Sequence, residues 1–397
     1  MKKISVIGIG ANGIDSLLPD ALACLKNANC VFGAARHLDA LNLDAEMVAW
    51  PSPFDHLIAE IEARADKYCV VLATGDPLWF SVGRKLAAYF GDRIVFYPQL
   101  SSFQLAASRL QWSLEACDCI SLHGRPIEKL VNFLQPNARI LCLTSGSDAP
   151  KEIAGLLKQN GFGGTVLHVL GDLGAKSESH QTFQANDAGL PNLPDLHVLG
   201  IEISKEEPGS FLPNVIGLPD DAFANDGKMT KRVVRAATLT KLMPHREALL
   251  WDIGAGSGSV GIEWMRAAPD TRAIAIEPRA DRRALIAENA RNLGAPDLEI
   301  IDGEVPAGLA GLATPDAVFI GGGLSSDVFA IAMEELKLGG RLVANAVTLE
   351  SEAILLAAFQ EHGGEMERIS VERADQIGPR FGWRPAMPVM QWSWVKR

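Results

Sequence analysis

Short apolar runs of strand length alternate with amphipathic stretches along almost the whole chain. In the first half, runs at 4–9, 29–33, 68–73, 93–97, 117–122, 139–144, 165–170 and 197–203 predict strands. Helical spacing at 16–26, 53–64, 79–90, 102–110, 126–134 and 149–159 falls between several of them. This alternation predicts an α/β domain with a mainly parallel sheet. The last strands lack helices between them, so a mixed sheet is expected over 165–203. Residues 204–227 read SKEEPGSFLPNVIGLPDDAFANDG, rich in Pro, Gly and acids and without periodicity. They predict a linker over 205–227, between a domain at 1–204 and a second at 228–397. The second half predicts helix 230–243, strand 248–253, helix 259–268, strand 272–277, helix 279–293, strands 297–302 and 315–320, helix 326–336, strand 340–347 and helix 350–361. Two final strands, 365–373 and 387–395, have no helix between them. A parallel pair would need a crossover, so they predict an antiparallel hairpin at the sheet edge.

Composition narrows the class. The 397 residues suit two domains, and 48% hydrophobic content excludes a disordered chain. The net charge of −11 is shared evenly. Through Ser210 there are 17 Lys and Arg against 23 Asp and Glu, and beyond it 20 against 25, giving −6 and −5. With no basic half, nucleic-acid binding is not expected. No apolar run reaches the ~18–20 residues of a membrane span. The start, MKKISVIG, reads as a first strand rather than a signal peptide. The six cysteines (24, 30, 69, 117, 119, 142) form no C-x-x-C pair. Cys117 and Cys119 alternate on a strand and point to opposite faces, so they are poorly placed to share a metal. Small buried thiols in a reducing cytoplasm, and no metal site, are the expectation.

The sharpest motif is LLWDIGAGSGSVGIEW, residues 249–264. Asp252 closes a strand, Gly254, Ala255, Gly256, Ser257 and Gly258 make a tight loop, and a helix follows at once. Such glycines let backbone approach a ligand closely. Glu277 ends the next strand, where a carboxylate accepts hydrogen bonds from ribose hydroxyls. A dinucleotide fingerprint needs G-x-G-x-x-G; here the third glycine comes one position early and Ser259 holds its place. The pattern resembles motifs I and II of the class I S-adenosylmethionine-dependent methyltransferases. The stretch PDAVFIGGG (315–323) lacks the N-P-P-Y that amino-group methyltransferases carry, which argues against an amine substrate.

In the first half, Gly8-Ile-Gly10-Ala-Asn-Gly13 is a literal G-x-G-x-x-G, but Ala34-Ala35-Arg36 after the next strand offers no ribose acid. Three further segments bring small or polar residues to strand ends, where open α/β sheets bind ligands. These are Thr74-Gly75-Asp76-Pro77, Ser101-Ser102 opening a helix, and His123-Gly124-Arg125. Each alone has an ordinary structural reading, as helix caps or a loop histidine.

Taken together, GIGANG, TGDPLWFSVG, PQLSSFQLA and SLHGR resemble the tetrapyrrole methylases, which have the class III methyltransferase fold of two α/β subdomains. MTKRVVRA (229–236), the glycine loop, AIEPRADRRALIAENARNLG (275–294) and DGEVPAGL (302–309) resemble the partner enzymes that methylate C15 of the corrin precursor and remove a carboxyl group. That half is expected to be Rossmann-like. Both in one chain resemble the fused bifunctional corrin methyltransferases of cobalamin synthesis, the precorrin-6Y C5,15-methyltransferases (decarboxylating).

The resemblance implies two S-adenosylmethionine sites, precorrin-6B as substrate and precorrin-8X as product. The first half would methylate C5. The second would methylate C15 and decarboxylate the ring C acetate. It places the cofactor at Gly10, Gly75, Asp76, Pro77, Ser101 and Ser102 in the first half. In the second it places it at Thr230, Gly254 to Gly258, Glu277, Gly303 and Val305. The first loop departs from the proline- and glycine-richer form of relatives. A polycarboxylate substrate on an acidic protein needs local cations. Arg125 and Lys231 are the leading candidates, beside Arg36, Arg109, Arg232 and Arg235. No catalytic acid or base is assigned. A homo-oligomer is expected by family analogy. The rival readings are an NAD(P)-dependent oxidoreductase with two dinucleotide sites and a non-enzymatic S-adenosylmethionine sensor.

Overall fold

The computed structural model describes residues 3–187, 193–206, 209 and 211–397. The chain divides into two compact units: 1–125 with 135–210, and 126–134 with 211–397.

In the first unit, β1 (Ile4–Ile9), β2 (Cys30–Gly33), β3 (Glu46–Ala49), β4 (Cys69–Thr74) and β5 (Ile94–Tyr97) form an all-parallel sheet ordered β3-β2-β4-β1-β5. β1, β2 and most of β4 are buried, which explains their continuous apolar runs. Val6, Phe32, Val71 and Leu86 pack on one face, and Ile7, Ile9, Val31 and Leu72 on the other. A second sheet holds β6 (Asp118–Ser121), β7 (Arg139–Leu143), β8 (Val166–Gly171), β9 (Ser179–Gln184) and β10 (His197–Glu202) in the order β6-β7-β10-β8-β9. Only β6–β7 is parallel, so the mixed sheet expected from the missing helices is present. β3 and β9 escape a search for apolar runs because both are half-buried edge strands. Cys24, Cys30, Cys69 and Cys142 are buried, and Cys117 and Cys119 half-buried. Burial pushes the Cys30 and Cys142 thiols up to about 12, so neither ionises near neutrality.

The second unit is built on β11 (Leu249–Ile253), β12 (Arg272–Ile276), β13 (Glu299–Ile301), β14 (Ala317–Ile320), β15 (Arg341–Ala346), β16 (Glu365–Ile369) and β19 (Val389–Val395). The order is β13-β12-β11-β14-β15-β19-β16. β11 to β15 are mutually parallel, while β19 runs antiparallel to both β15 and β16. The two closing strands are antiparallel as expected, with β19 inside and β16 at the edge, but they do not form the expected hairpin, because two further strands separate them in sequence. Between them β17 (Glu372–Ile377) and β18 (Arg380–Pro385) form a separate hairpin that the sequence pattern did not predict. Trp251, Trp264 and Trp392 are fully buried, and each indole N–H finds a carbonyl, of Ala313, Arg272 and Gly363 respectively.

Two stretches differ from expectation. Residues 126–134 predict a helix of the first domain, but Ile127–Phe133 is a 3-10 helix and belongs to the second unit. There Asn132 donates to Gly294 O at 2.7 Å and accepts from Arg266 at 2.6 Å. Residues 211–227, within the expected linker, also pack on the second unit. Leu218 and Phe223 join its core, and Glu263 accepts from Gly217 N (2.6 Å) and Leu218 N (3.1 Å). Composition hides this because the segment is held by two apolar anchors and backbone N–H groups, not by a periodic face.

Phe223→Ala tests that anchoring. Truncating a buried phenylalanine costs ~3–5 kcal/mol, whereas a free linker would tolerate the change. The denaturant midpoint of the second unit is the measurement.

Candidate cofactor and substrate sites

Asp252 is the penultimate residue of β11, and the loop that follows turns on Gly254, Gly256 and Gly258 at φ 69°, 62° and 75°. These left-handed angles suit glycine. The loop also lies against a second glycine run. A Cβ on Gly254 would stand 2.7 Å from the backbone of Gly322, in Gly321–Gly323 after β14. Gly321 N donates to Ile253 O at 2.9 Å. Glu277, just beyond β12, is buried. It accepts from Gly256 N at 2.9 Å and Arg279 N at 3.2 Å, and Arg282 lies 4.0 Å away. The predicted ribose acid therefore also braces the glycine loop.

Asn289, within the quoted 275–294 stretch but not singled out there, donates to both Ser257 O and Ala224 O at 2.9 Å. Asp226, also unflagged, accepts from Arg282. Asp252 accepts from Gly261 N at 2.9 Å through Oδ2. Its Oδ1, and the hydroxyl of Ser257, are buried without a hydrogen-bond partner among the described residues. Orphaned polar atoms beside a glycine cradle fit a ligand with its own donors, as S-adenosylmethionine has. Burial, reinforced by Glu277, pushes the Asp252 carboxyl from 3.8 up to about 7.

The remaining predicted positions flank this loop. Lys228 O lies 3.5 Å from the Cβ position of Gly256, so the segment leading to Thr230 and Lys231 runs beside the cradle. Thr230 O accepts from Arg235 at 2.6 Å. Lys231 is half-buried and makes no ion pair among the described residues. Gly303 packs on Gly308, and Val305 lies 2.8 Å from the Cβ position of Gly323. Ala255 is half-buried beside them. Arg232 is exposed.

Arg235 is a correction. The sequence makes it a candidate for substrate carboxylates, but it is fully buried. It pairs with Glu263 at 2.5 Å and Asp220 at 3.2 Å, donates to Leu218 O, and lies 4.8 Å over the Phe223 ring. Every face of the guanidinium is spent on the fold.

In the first unit the loops after β1, β4 and β5 meet. A Cβ on Gly8 would stand 2.4 Å from Gly75 O and 2.6 Å from Gln99 Cβ. Gly75 has φ 67°, and its Cβ position lies 3.4 Å from Ser101 Cα. Gly75, Asp76 and Pro77 are therefore close to Ser101 and Ser102. Ser101 forms a capping box with Gln104. Asp76 Oδ1 accepts from Leu78 N at 2.8 Å. Ser101 is thus the helix cap the sequence suggested, whereas Asp76 closes a local turn and caps no helix, the next helix starting at Gly83. Gly10 N is taken by Ser16 Oγ at 3.1 Å.

Leu78, Trp79, Phe80 and Leu100 present an exposed apolar rim at this end. Arg125 lies 5.8 Å over the Phe80 ring. Arg36 donates to Thr74 Oγ1 at 3.0 Å. Arg109 is instead paired with Glu178 at 2.5 Å.

Two α/β units, each with glycine turns gathered at the C-terminal ends of parallel strands, define a methyltransferase of two catalytic folds. Comparison with known proteins agrees. The model for tetrapyrrole (corrin/porphyrin) methylases matches residues 3–185, and that for the precorrin methyltransferase domain matches 221–396. A precorrin-6Y C(5,15)-methyltransferase [decarboxylating] of Sinorhizobium is 46% identical over 99% of this chain and 96% of its own. Two Salmonella typhimurium proteins each match a part. A cobalt-precorrin-7 C(5)-methyltransferase is 29% identical over 44% of this chain and 87% of its own. A cobalt-precorrin-6B C(15)-methyltransferase (decarboxylating) is 34% identical over 41% and 87%. The chain belongs to the precorrin-6Y C5,15-methyltransferase (decarboxylating) family.

The Asp252 carboxyl gives a pH prediction. Its folded value lies above the ordinary 3.8, so its contribution to stability is present at low pH and lost as pH rises through about 7. Between pH 5 and pH 8 the wild type should lose stability relative to Asp252→Asn, by ~2–6 °C in the unfolding midpoint. Parallel pH curves for the two proteins would contradict this.

Proposed function

We propose that this chain methylates precorrin-6B at C5 and C15 and decarboxylates the ring C acetate, giving precorrin-8X in cobalamin synthesis. The observation that carries the reading is the Sinorhizobium relative, aligned over 99% of this chain. The methyl donor is S-adenosylmethionine, which supplies a methyl group already activated on a sulfonium. The first unit is assigned C5, and the second C15 with decarboxylation. The part-length Salmonella relatives named for each activity support that division. Two glycine cradles support two donor sites per chain.

What the residues do is hold and orient. In the second unit Gly254 to Gly258 and Gly321 to Gly323 leave backbone room for the donor, Glu277 faces the ribose, and Lys231 receives a substrate carboxylate. In the first, Gly75 to Pro77 and Ser101–Ser102 line the donor site. The apolar rim of Leu78, Trp79, Phe80 and Leu100 receives the macrocycle, and Arg36 and Arg125 its carboxylates. A carbon nucleophile of enamine type needs no strong base for the attack. The methylated C15 product is a cationic ring system, and that cation is the electron sink for loss of carbon dioxide.

Incubation of precorrin-6B with the enzyme and S-adenosylmethionine should add two methyl groups and remove one carbon dioxide by mass spectrometry. Calorimetry should count two S-adenosylhomocysteine molecules per chain and none of NAD. An unchanged mass would refute the reaction; one molecule per chain would refute the second donor site.

The family-based expectation of a homo-oligomer finds support in the β17–β18 hairpin. Phe381 and Trp383 share one of its faces and are 79% and 70% exposed. A lone two-stranded sheet is marginal in water. Antiparallel pairing of β17 with its copy about Ala374 sets Arg373 against Asp375 in both directions. Phe381→Ser with Trp383→Ser should lower the sedimentation coefficient to that of a smaller species. An unchanged coefficient would show that the hairpin does not hold copies together.

A further inference from the structure

Methylation of C5 leaves one problem that the cofactor residues do not address. The carbon carries its new methyl and its original hydrogen, and conjugation returns only when that proton leaves. The first unit has an exposed histidine on a loop that meets the apolar rim. His123 follows β6, whose end lies beside the end of β7 because the two strands are parallel. Its Nδ1 is 3.2 Å from Thr144 O and 3.0 Å from Ser145 Oγ, both just beyond β7. A carbonyl only accepts, so Nδ1 carries the proton and Nε2 keeps the basic lone pair. Ser145 Oγ also accepts from Gly124 N at 3.1 Å, which holds the loop around the ring. Nε2 has no hydrogen-bond partner among the described residues, and the side chain is exposed.

The same loop reaches the cofactor turn. Two residues on, Arg125 covers the ring of Phe80, which stands in the apolar rim directly after Gly75-Asp76-Pro77. The rival histidine at this end is His37, whose Nε2 is 2.9 Å from Thr74 Oγ1. Burial, with Arg36 adjoining, pushes His37 down to about 4, so it takes no proton near neutrality. His197 is buried, with one ring nitrogen on Thr144 Oγ1 and the other on Pro194 O. Asp76 already accepts from Leu78 N. The charged or titratable groups tied to the His123 surroundings are Arg125 on its own loop, Asp195, which accepts from Ser147 N, and His197 through Thr144, with Asp148 three residues beyond Ser145 in sequence.

We propose that His123 is the general base of C5 methylation, taking the C5 proton on Nε2 while Nδ1 is held by the Thr144 carbonyl and the Ser145 hydroxyl. This rests on the first unit being the C5 catalyst. In the balance, the C5–CH3 bond forms as the donor S–CH3 bond breaks and its electron pair stays on sulfur. The C–H pair returns to the macrocycle, and the proton passes to imidazole and then to solvent. Imidazole suits the task because one ring nitrogen can take a proton while the other stays hydrogen-bonded.

His123→Ala and His123→Gln in the full chain provide the test. The C5 rate constant should fall ~10²–10⁴-fold, the acidic limb of its pH profile should vanish, and added imidazole should restore part of the alanine variant's rate. Donor binding, C15 methylation and decarboxylation, measured on the same chain, should not change. A C5 rate within twofold of wild type overturns the proposal. So does a raised KM with unchanged kcat and pH profile, which would make His123 a substrate contact. Gly75→Ala separates the underlying reading. If C5 methylation survives that change, the first unit is not the C5 catalyst and the assignment falls with it.

Discussion

The glycine turns of both units depend on backbone approaching backbone where no side chain fits. In the second unit the loops after β11 and β14 touch at Gly254 and Gly322. A single added Cβ there would lie 2.7 Å from the neighbouring chain. In the first, a Cβ added to Gly8 would stand closer still, 2.4 Å from Gly75 O. Both contacts lie at the C-terminal ends of parallel strands, where loops diverge into crossovers and leave a crevice. The buried strands exist, in effect, to hold these turns in register. The alternation of apolar strands and amphipathic helices is the visible trace of that demand.

Charge is handled in a way that composition conceals. The protein carries −11, and a substrate with many carboxylates must find cations locally. Several cations are committed elsewhere. Arg235 is sealed between Glu263 and Asp220, and Arg266 reaches Asn132 and Leu212 O. Such pairs are costly to break because the surviving partner would be buried and unpaired. They fasten residues 211–227 and 126–134 onto the second unit, beside the helix that leads from Thr230 and Lys231. Arg36 and Arg125 remain near strand ends, and Lys231 at the start of the helix Arg232–Leu242. The same low-dielectric interior that makes Arg235 structural pushes the Asp252 carboxyl up to about 7, beneath the glycine loop.

Much of the fold was legible. Buried strands such as β1, β4, β11 and β14 appear as short apolar runs, and the glycine loop at 254–258 marks its own turn. The edge strands were not legible, because β3 and β9 bury only part of each face. The β17–β18 hairpin was hidden for the same reason: its aromatic side chains face outward. The segment 211–227 looked like linker because Leu218 and Phe223 are too far apart to show a period. Arg235 looked like a free cation because its partners lie 15 and 28 residues away. His123 could be seen in the sequence, but not the Thr144 carbonyl that fixes its tautomer.

Local pattern alone specifies the class of each half, the likeness to a methyltransferase family, and the residue types at each strand end. It does so because period, glycine spacing and strand-terminal acids are local properties. The tertiary structure decided which cations are free, which segments belong to which unit, and which carboxyl is stripped of solvent. Those depend on partners distant along the chain and on burial, and neither is written in the neighbourhood of a residue.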